Sequence, residues 1–221
     1  MQKSKIQTVL FDFDGTIVDT EPSAVKVVKA CFKEWKLELT PEDASYVTGR
    51  TWESAFDYLL KKYSLPLERN AAEAQVLSQY RTEVEKNLIQ VPGSVQAIRS
   101  LSKHFTLGLV SGSIRQDILE ILSRLGLIDL FKVILGASDY EKSKPAPDGY
   151  LKAAQILGAA PASCLVFEDS EAGVKSGKKA GMWVVAITST NHFGQDLSQA
   201  DFHIPDLRQV NPDWVSHLSV D

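Results

Sequence analysis

The chain has 221 residues, enough to bury a substantial core as one large domain or as a domain with an insert. With 44% hydrophobic and 24% charged residues it reads as an ordinary globular protein, and a net charge of −4 with no basic run beyond a lysine pair gives no sign of a nucleic-acid binder. No segment is long and apolar enough to span a membrane, and the start, Met-Gln-Lys-Ser-Lys-Ile, has no signal-peptide apolar stretch, so a reducing, cytoplasmic setting is expected.

Thr8 to Phe11 are β-branched or apolar and predict a buried strand. From Pro22 to Leu37 the apolar residues fall at three- and four-residue spacings, which predicts a helix with proline in its first turn. Thr40-Pro41-Glu42-Asp43 reads as an N-cap, an N1 proline and an acidic first turn of a short helix ending at Gly49. Two further helices are predicted, Thr51 to Tyr63 and Leu67 to Leu88. About 70 residues therefore form a helical insert. Beyond Val91-Pro92-Gly93 the pattern alternates. Helices over 94–103, 114–125, 147–157 and 171–180 precede strands over 105–110, 131–135, 164–167 and 183–187. Short apolar strands separated by amphipathic helices predict an α/β fold with a parallel sheet covered on both faces. The tail from Asp201 holds a short apolar stretch and a last helix. Cys31 and Cys164 lie in apolar surroundings without metal-site spacing and read as packing residues. His192, His203 and His217 have no partner spacing.

In open parallel sheets ligands bind outside the carboxyl ends of the strands. The first strand ends in Asp12, and Asp14 lies two residues on, so both approach one site. Two close carboxylates need a cation between them or a proton on one. Mg2+ takes oxygen ligands and suits phosphate substrates. Gly15 lets the chain turn away. After the 105–110 strand, Ser111 offers a hydroxyl and Gly112 lets backbone approach a ligand. Ser113-Ile114-Arg115-Gln116 reads as a capping box, either an ordinary helix cap or an anion site. Lys144, whose backbone is fixed by the two prolines that follow in Lys144-Pro145-Ala146-Pro147, is either a solvated loop lysine or a phosphate ligand. Glu168-Asp169-Ser170 is a second acidic pair at a strand end, followed by a capped helix.

In order, Asp12-Phe13-Asp14-Gly15-Thr16, Ser111, Lys144 and Glu168-Asp169 resemble the four motifs of the haloacid dehalogenase superfamily. Lys144-Pro145-Ala146-Pro147-Asp148, Glu168-Asp169-Ser170 with Gly173, and Ala180-Gly181-Met182 are similar to the subfamily of β-phosphoglucomutase and small-molecule phosphatases. The resemblance covers nearly the whole chain. It implies a Rossmann-like core from residues 1–18 and 91–221, with a helical cap, 19–90, inserted after the first strand. It also implies an Asp12 nucleophile that forms an aspartyl-phosphate, with Asp14 as general acid and base. Mg2+ is implied on Asp12, the Asp14 carbonyl and Asp169, with Glu168 direct or through water. Ser111, Gly112 and Lys144 would hold the phosphate. Gly49-Arg50-Thr51 looks like the family's substrate-specificity loop, so Gly49 and Arg50 are expected at the substrate, Arg50 being otherwise a solvated loop residue. Ser113 and Arg115 are further substrate-contact candidates.

The resemblance implies an Mg2+-dependent phosphatase, acting as a monomer on a small phosphorylated metabolite such as a sugar phosphate. A sugar-phosphate mutase is the alternative. The β-phosphoglucomutases usually carry a histidine where this chain has Ala24, which favours water as acceptor. A dehalogenase generally lacks the second aspartate that Asp14 supplies. A non-catalytic binding protein should have lost one of Asp12, Asp14, Lys144 or Asp169. No Gly-x-Gly-x-x-Gly follows a strand, as a nucleotide-dependent oxidoreductase would require.

Overall fold

The computed structural model describes residues 5–47 and 52–218. The described elements are, in chain order, β1 (Thr8–Phe11), β2 (Val18–Asp19), α1 (Glu21–Glu34), α2 (Pro41–Val47), α3 (Trp52–Lys62), α4 (Arg69–Lys86), β3 (Ile89–Gln90), α5 (Ser94–Leu101) and β4 (Thr106–Val110). There follow α6 (Arg115–Arg124), β5 (Val133–Leu135), α7 (Asp148–Ile156), β6 (Cys164–Glu168), α8 (Glu171–Lys179), β7 (Trp183–Ile187), β8 (Phe202–Ile204) and α9 (Pro212–His217). The residues up to Val18 and from Gln90 onward form one compact unit, and Asp19–Ile89 forms another. The two-residue strands β2 and β3 pair with each other where the chain leaves the first unit and returns.

In the first unit six strands form one sheet in the order β5-β4-β1-β6-β7-β8, and every neighbouring pair is parallel. All four residues of β1 are buried because both faces of the strand are covered. Leu10 joins Val110, Leu135, Val166 and Val184 in a core with Tyr150 and Ala153 of α7 and Val174 of α8. Phe11, one residue on, points to the opposite face. Its ring stacks on Phe167 at 5.1 Å and meets Phe131 edge-on at 6.2 Å, while Trp214 of α9 stacks on Phe167 at 6.3 Å. The register sets Phe11 beside Leu109 and Phe167, which brings the carboxyl ends of β1, β4 and β6 level.

The sheet has one strand more than the sequence predicts. In β8 only Phe202 and Ile204 are apolar, too short a run to signal a strand, yet His203 pairs with Ala186 of β7. Such a strand is defined by the edge it joins rather than by its own propensity.

The second unit holds α1 to α4. Val27, Val28, Cys31 and Phe32 are buried on α1, and Ala72, Val76, Tyr80 and Val84 recur every fourth residue on α4. The predicted N-cap at Thr40 is present, its hydroxyl accepting the Asp43 amide at 3.2 Å. Asp43 does more than furnish an acidic first turn. Its carboxylate is fully buried and accepts from Tyr58 (2.7 Å), Lys62 (2.5 Å), Tyr63 and Thr40 (2.6 Å), which ties α2 to α3 and to the Tyr63 that follows it. Burial works against the charge of Asp43, but these donors outweigh it and hold the carboxyl well below the usual range. Among the described residues no helix is long and apolar enough to cross a membrane.

Candidate active site

The first unit gathers its charged groups where β1, β4 and β6 end. Asp12 continues β1, its amide bonded to the Phe167 carbonyl at 3.0 Å, and its side chain is buried. Glu168 closes β6 and Asp169 follows it, both buried. Carboxylate oxygens of Asp12, Glu168 and Asp169 lie within 4.8 Å of one another. Lys144 enters from the loop before α7, next to a cis Pro145. Its ammonium donates to Asp12 Oδ1 and Glu168 Oε1, each at 2.5 Å, and to the Val110 carbonyl at 3.2 Å.

Glu168 is held from every side. Oε1 also accepts from the Tyr150 hydroxyl at 2.9 Å, while Oε2 accepts the Asp169 amide (3.1 Å), the Ser170 amide (3.3 Å) and the Ser170 hydroxyl (3.0 Å). The predicted cap of α8 is present, with Ser170 Oγ accepting the Gly173 amide at 3.0 Å. A Cβ on Gly173 would fall 1.8 Å from the Glu168 carboxylate, so the helix start closes directly on it.

Burial raises the Asp12 carboxyl well above its usual range; Lys144 pulls it down, and Glu168 and Asp14 push it up. Burial alone would weaken the charge on Lys144, but Asp12 and Glu168 outweigh it and keep the ammonium protonated. Among the described residues, Lys144 thus bonds two of three clustered, buried acids. That oxygen-rich donor set fits a hard divalent cation such as Mg2+.

Asp14 stands at the edge of this cluster. Its Oδ2 accepts from the Ser113 hydroxyl and, at 3.5 Å, from that of Ser111. The capping box expected at Ser113 does not form. The N-cap residue of α6 is Ile114, one residue past Ser113, and no side chain caps the helix, while the Ser113 hydroxyl donates to Asp14. Ser111 accepts the Ser113 amide at 3.0 Å across Gly112. Arg115 goes elsewhere: half-exposed, it donates to the Ile134 carbonyl at 3.3 Å and pairs with Asp139 at 3.5 Å. The structure therefore brings Asp12, Asp14, Ser111, Ser113, Lys144, Glu168 and Asp169 together and sets Arg115 apart. Gly49, Arg50 and the adjoining Thr51 lie outside the described residues.

Sequence reasoning missed three residues here. Tyr150 bonds Glu168, and its ring lies 5.2 Å from the Lys144 ammonium. Tyr140 donates to the Ser111 carbonyl at 2.8 Å. Thr190 donates to the Gly15 carbonyl at 2.7 Å. A buried tyrosine needs a partner for its hydroxyl, which was the available signal for the first two. Thr190 follows the end of β7, where the strand-end rule would have found it.

The sequence profile of the haloacid dehalogenase-like hydrolases matches residues 9–187. The chain is 31% identical over 220 residues to the bifunctional riboflavin kinase/FMN phosphatase of Arabidopsis thaliana. That match takes in 95% of this chain and 58% of the relative, so the chain spans less than two thirds of that protein's length. It is 27% identical over 184 residues to the fructose-1-phosphate phosphatase YqaB of Escherichia coli, covering 81% of this chain and 95% of that one. The crystal structure of a β-phosphoglucomutase from Clostridium difficile superposes with a TM-score of 0.81 at 21% identity over 97% of each chain, a likeness of fold.

Proposed function

The chain belongs to the haloacid dehalogenase-like hydrolase family, and we propose that it is an Mg2+-dependent phosphatase that hydrolyses a small phosphorylated metabolite, a sugar phosphate or similar, through an aspartyl-phosphate on Asp12. The observation that carries this reading is the cluster of three buried acids, Asp12, Glu168 and Asp169, with Lys144 bonded to the first two, at the carboxyl ends of parallel strands. The named activities of the FMN and fructose-1-phosphate phosphatases point the same way.

Asp12 is the nucleophile. Its carboxylate attacks phosphorus, and the ester oxygen leaves with a proton from Asp14. Asp14, now a carboxylate, takes a proton from the water that attacks the aspartyl-phosphate. Water ends in inorganic phosphate, and Asp12 is regenerated. Lys144 and the Ser111 hydroxyl hold the equatorial phosphate oxygens, where charge stabilisation matters most in phosphoryl transfer, and Gly112 lets backbone approach them. Asp12, Asp169 and the Asp14 carbonyl would hold Mg2+, with Glu168 supporting the set. When bound, the ion supplies positive charge that offsets repulsion between Asp12 and the phosphate dianion. Ser113, placed on Asp14, orients the acid. The helical residues 19–90 serve as the cap that selects substrate, with Gly49 and Arg50 as its recognition loop.

Water, rather than a second sugar hydroxyl, is the acceptor, because Ala24 stands where the mutases carry histidine. The test is incubation with β-glucose 1-phosphate, a trace of glucose 1,6-bisphosphate and Mg2+, following free phosphate and glucose 6-phosphate together. Free phosphate is expected as the main product. Glucose 6-phosphate forming much faster than phosphate would overturn hydrolysis in favour of mutase activity.

A further inference from the structure

We infer that Thr190 is a positioning residue for Asp14, acting through the backbone of Gly15; the inference rests on the phosphatase reading of this site. Gly15 is the joint of the turn that carries Asp14. It has a left-handed φ of +78°, and its Cα presses on Asp169 so closely that a Cβ would fall 1.8 Å from Oδ2. A glycine is the most permissive joint a chain can have. Left to itself it would let Asp14 swing.

Three hydrogen bonds take that freedom away. The Gly15 amide donates to the Val18 carbonyl at 2.6 Å, which fixes the Asp14–Gly15 peptide plane. The Gly15 carbonyl accepts from Thr190 Oγ1 at 2.7 Å, which, with the longer bond of the Thr16 amide to the Phe13 carbonyl at 3.3 Å, fixes the Gly15–Thr16 plane. The two amide bonds are local to the turn, whereas the Thr190 bond is a strut from a segment 175 residues away. Thr190 is itself buried. The Thr188 and Ser189 amides donate to the Ile204 and Pro205 carbonyls at 2.9 and 3.1 Å, anchoring the segment to the end of β8. Asn191 and Gln195 bond each other, and Gln195 Oε1 accepts the Glu171 amide at the start of α8 at 3.0 Å. The Thr190 hydroxyl therefore reaches the catalytic turn from a frame tied to two other elements. A general acid must keep its place to well within an ångström, and the strut provides that constraint.

Thr190→Val keeps the shape and removes the donor, Thr190→Ser keeps the donor, and Thr190→Ala leaves room for a water and stands in if the valine variant does not fold. Two readouts are taken. One is amide hydrogen exchange over residues 12–18, whose Gly15, Thr16, Ile17 and Val18 amides are all hydrogen-bonded. The other is kcat and KM on a sugar phosphate and on 4-nitrophenyl phosphate, whose leaving group needs little protonation. In Thr190→Val, exchange over 12–18 should rise at least about fivefold, and kcat on the sugar phosphate should fall roughly tenfold, with a loss under about threefold on the aryl ester and KM nearly unchanged. Thr190→Ser should behave as wild type. Unchanged exchange in an active enzyme, equal losses on both substrates, or a serine variant as impaired as the valine one each overturns the inference. A wild type inactive on every phosphate ester overturns the phosphatase reading, and Thr190's catalytic role with it.

Discussion

Replacing Gly15 with alanine probes the join between the two acidic strand ends. The added Cβ would sit 1.8 Å from Asp169 Oδ2 and 2.3 Å from its Cγ, whereas real Cβ contacts essentially never fall under 3.0 Å. The turn or the aspartate must therefore move by about 1.2 Å, the gap between those two values. Asp169 is only 4% exposed and has little room to retreat. A misplacement of about 1 Å in a catalytic constellation costs on the order of 100-fold in rate. The left-handed φ of +78° adds strain of roughly 1–2 kcal/mol for any L-residue with a side chain. For a chain of this size that strain lowers Tm by roughly 2–8 °C. Gly158 provides the control, since it too has a left-handed φ, +65°, but nothing lies within 4 Å of its would-be Cβ. Gly158→Ala should lose similar stability and keep its activity. The assay is phosphate release, read as kcat/KM, beside thermal unfolding of both variants. Activity of Gly15→Ala within about threefold of wild type in a folded protein would refute the proposed closeness of the two acids in catalysis.

Asp14→Asn should cut kcat most on sugar phosphates and least on 4-nitrophenyl phosphate; equal losses on both would make Asp14 a structural or metal-holding group instead of the acid. Asp43→Asn should destabilise the helical unit by about 1–3 kcal/mol, because the buried acceptor of four side-chain donors loses its charge. Since folding depresses the Asp43 pKa, its contribution is complete at neutral pH and is lost as the pH falls below roughly 4 toward the folded value. Urea melts at pH 7 and at decreasing acid pH should show the gap between wild type and variant narrowing; a gap independent of pH would contradict the charged network.

Much of the fold was legible because its signals are local. Thr8–Phe11 is β-branched or apolar and buried throughout since both faces of β1 are covered, and Asp12 ends the run where the strand meets the site. The strand-end rule then brought Ser111, Lys144 and Glu168-Asp169 into view. What stayed hidden depends on partners far away in sequence. β8 exists because β7 offers it an edge. Ser113 looks like a cap, yet the N-cap of α6 falls one residue later, at Ile114, and the Ser113 hydroxyl goes to Asp14, 99 residues before it. Asp43 reads as a helix-dipole charge until Tyr58, Lys62 and Tyr63 fold onto it. Tyr150 and Thr190 carry no motif, and each is defined by the single buried acceptor it satisfies.

The central claim is that Asp12 attacks phosphorus with Mg2+ at the Asp12–Glu168–Asp169 cluster. Phosphate release from a panel of sugar phosphates, phosphoglycolate and nucleotides, by wild type and Asp12→Asn, with EDTA and with Mg2+ restored, tests it most directly. Hydrolysis of at least one small phosphate ester is expected, abolished by EDTA, recovered with Mg2+, and near background in a folded Asp12→Asn. Substantial turnover by Asp12→Asn, or wild-type activity indifferent to chelation, would contradict it.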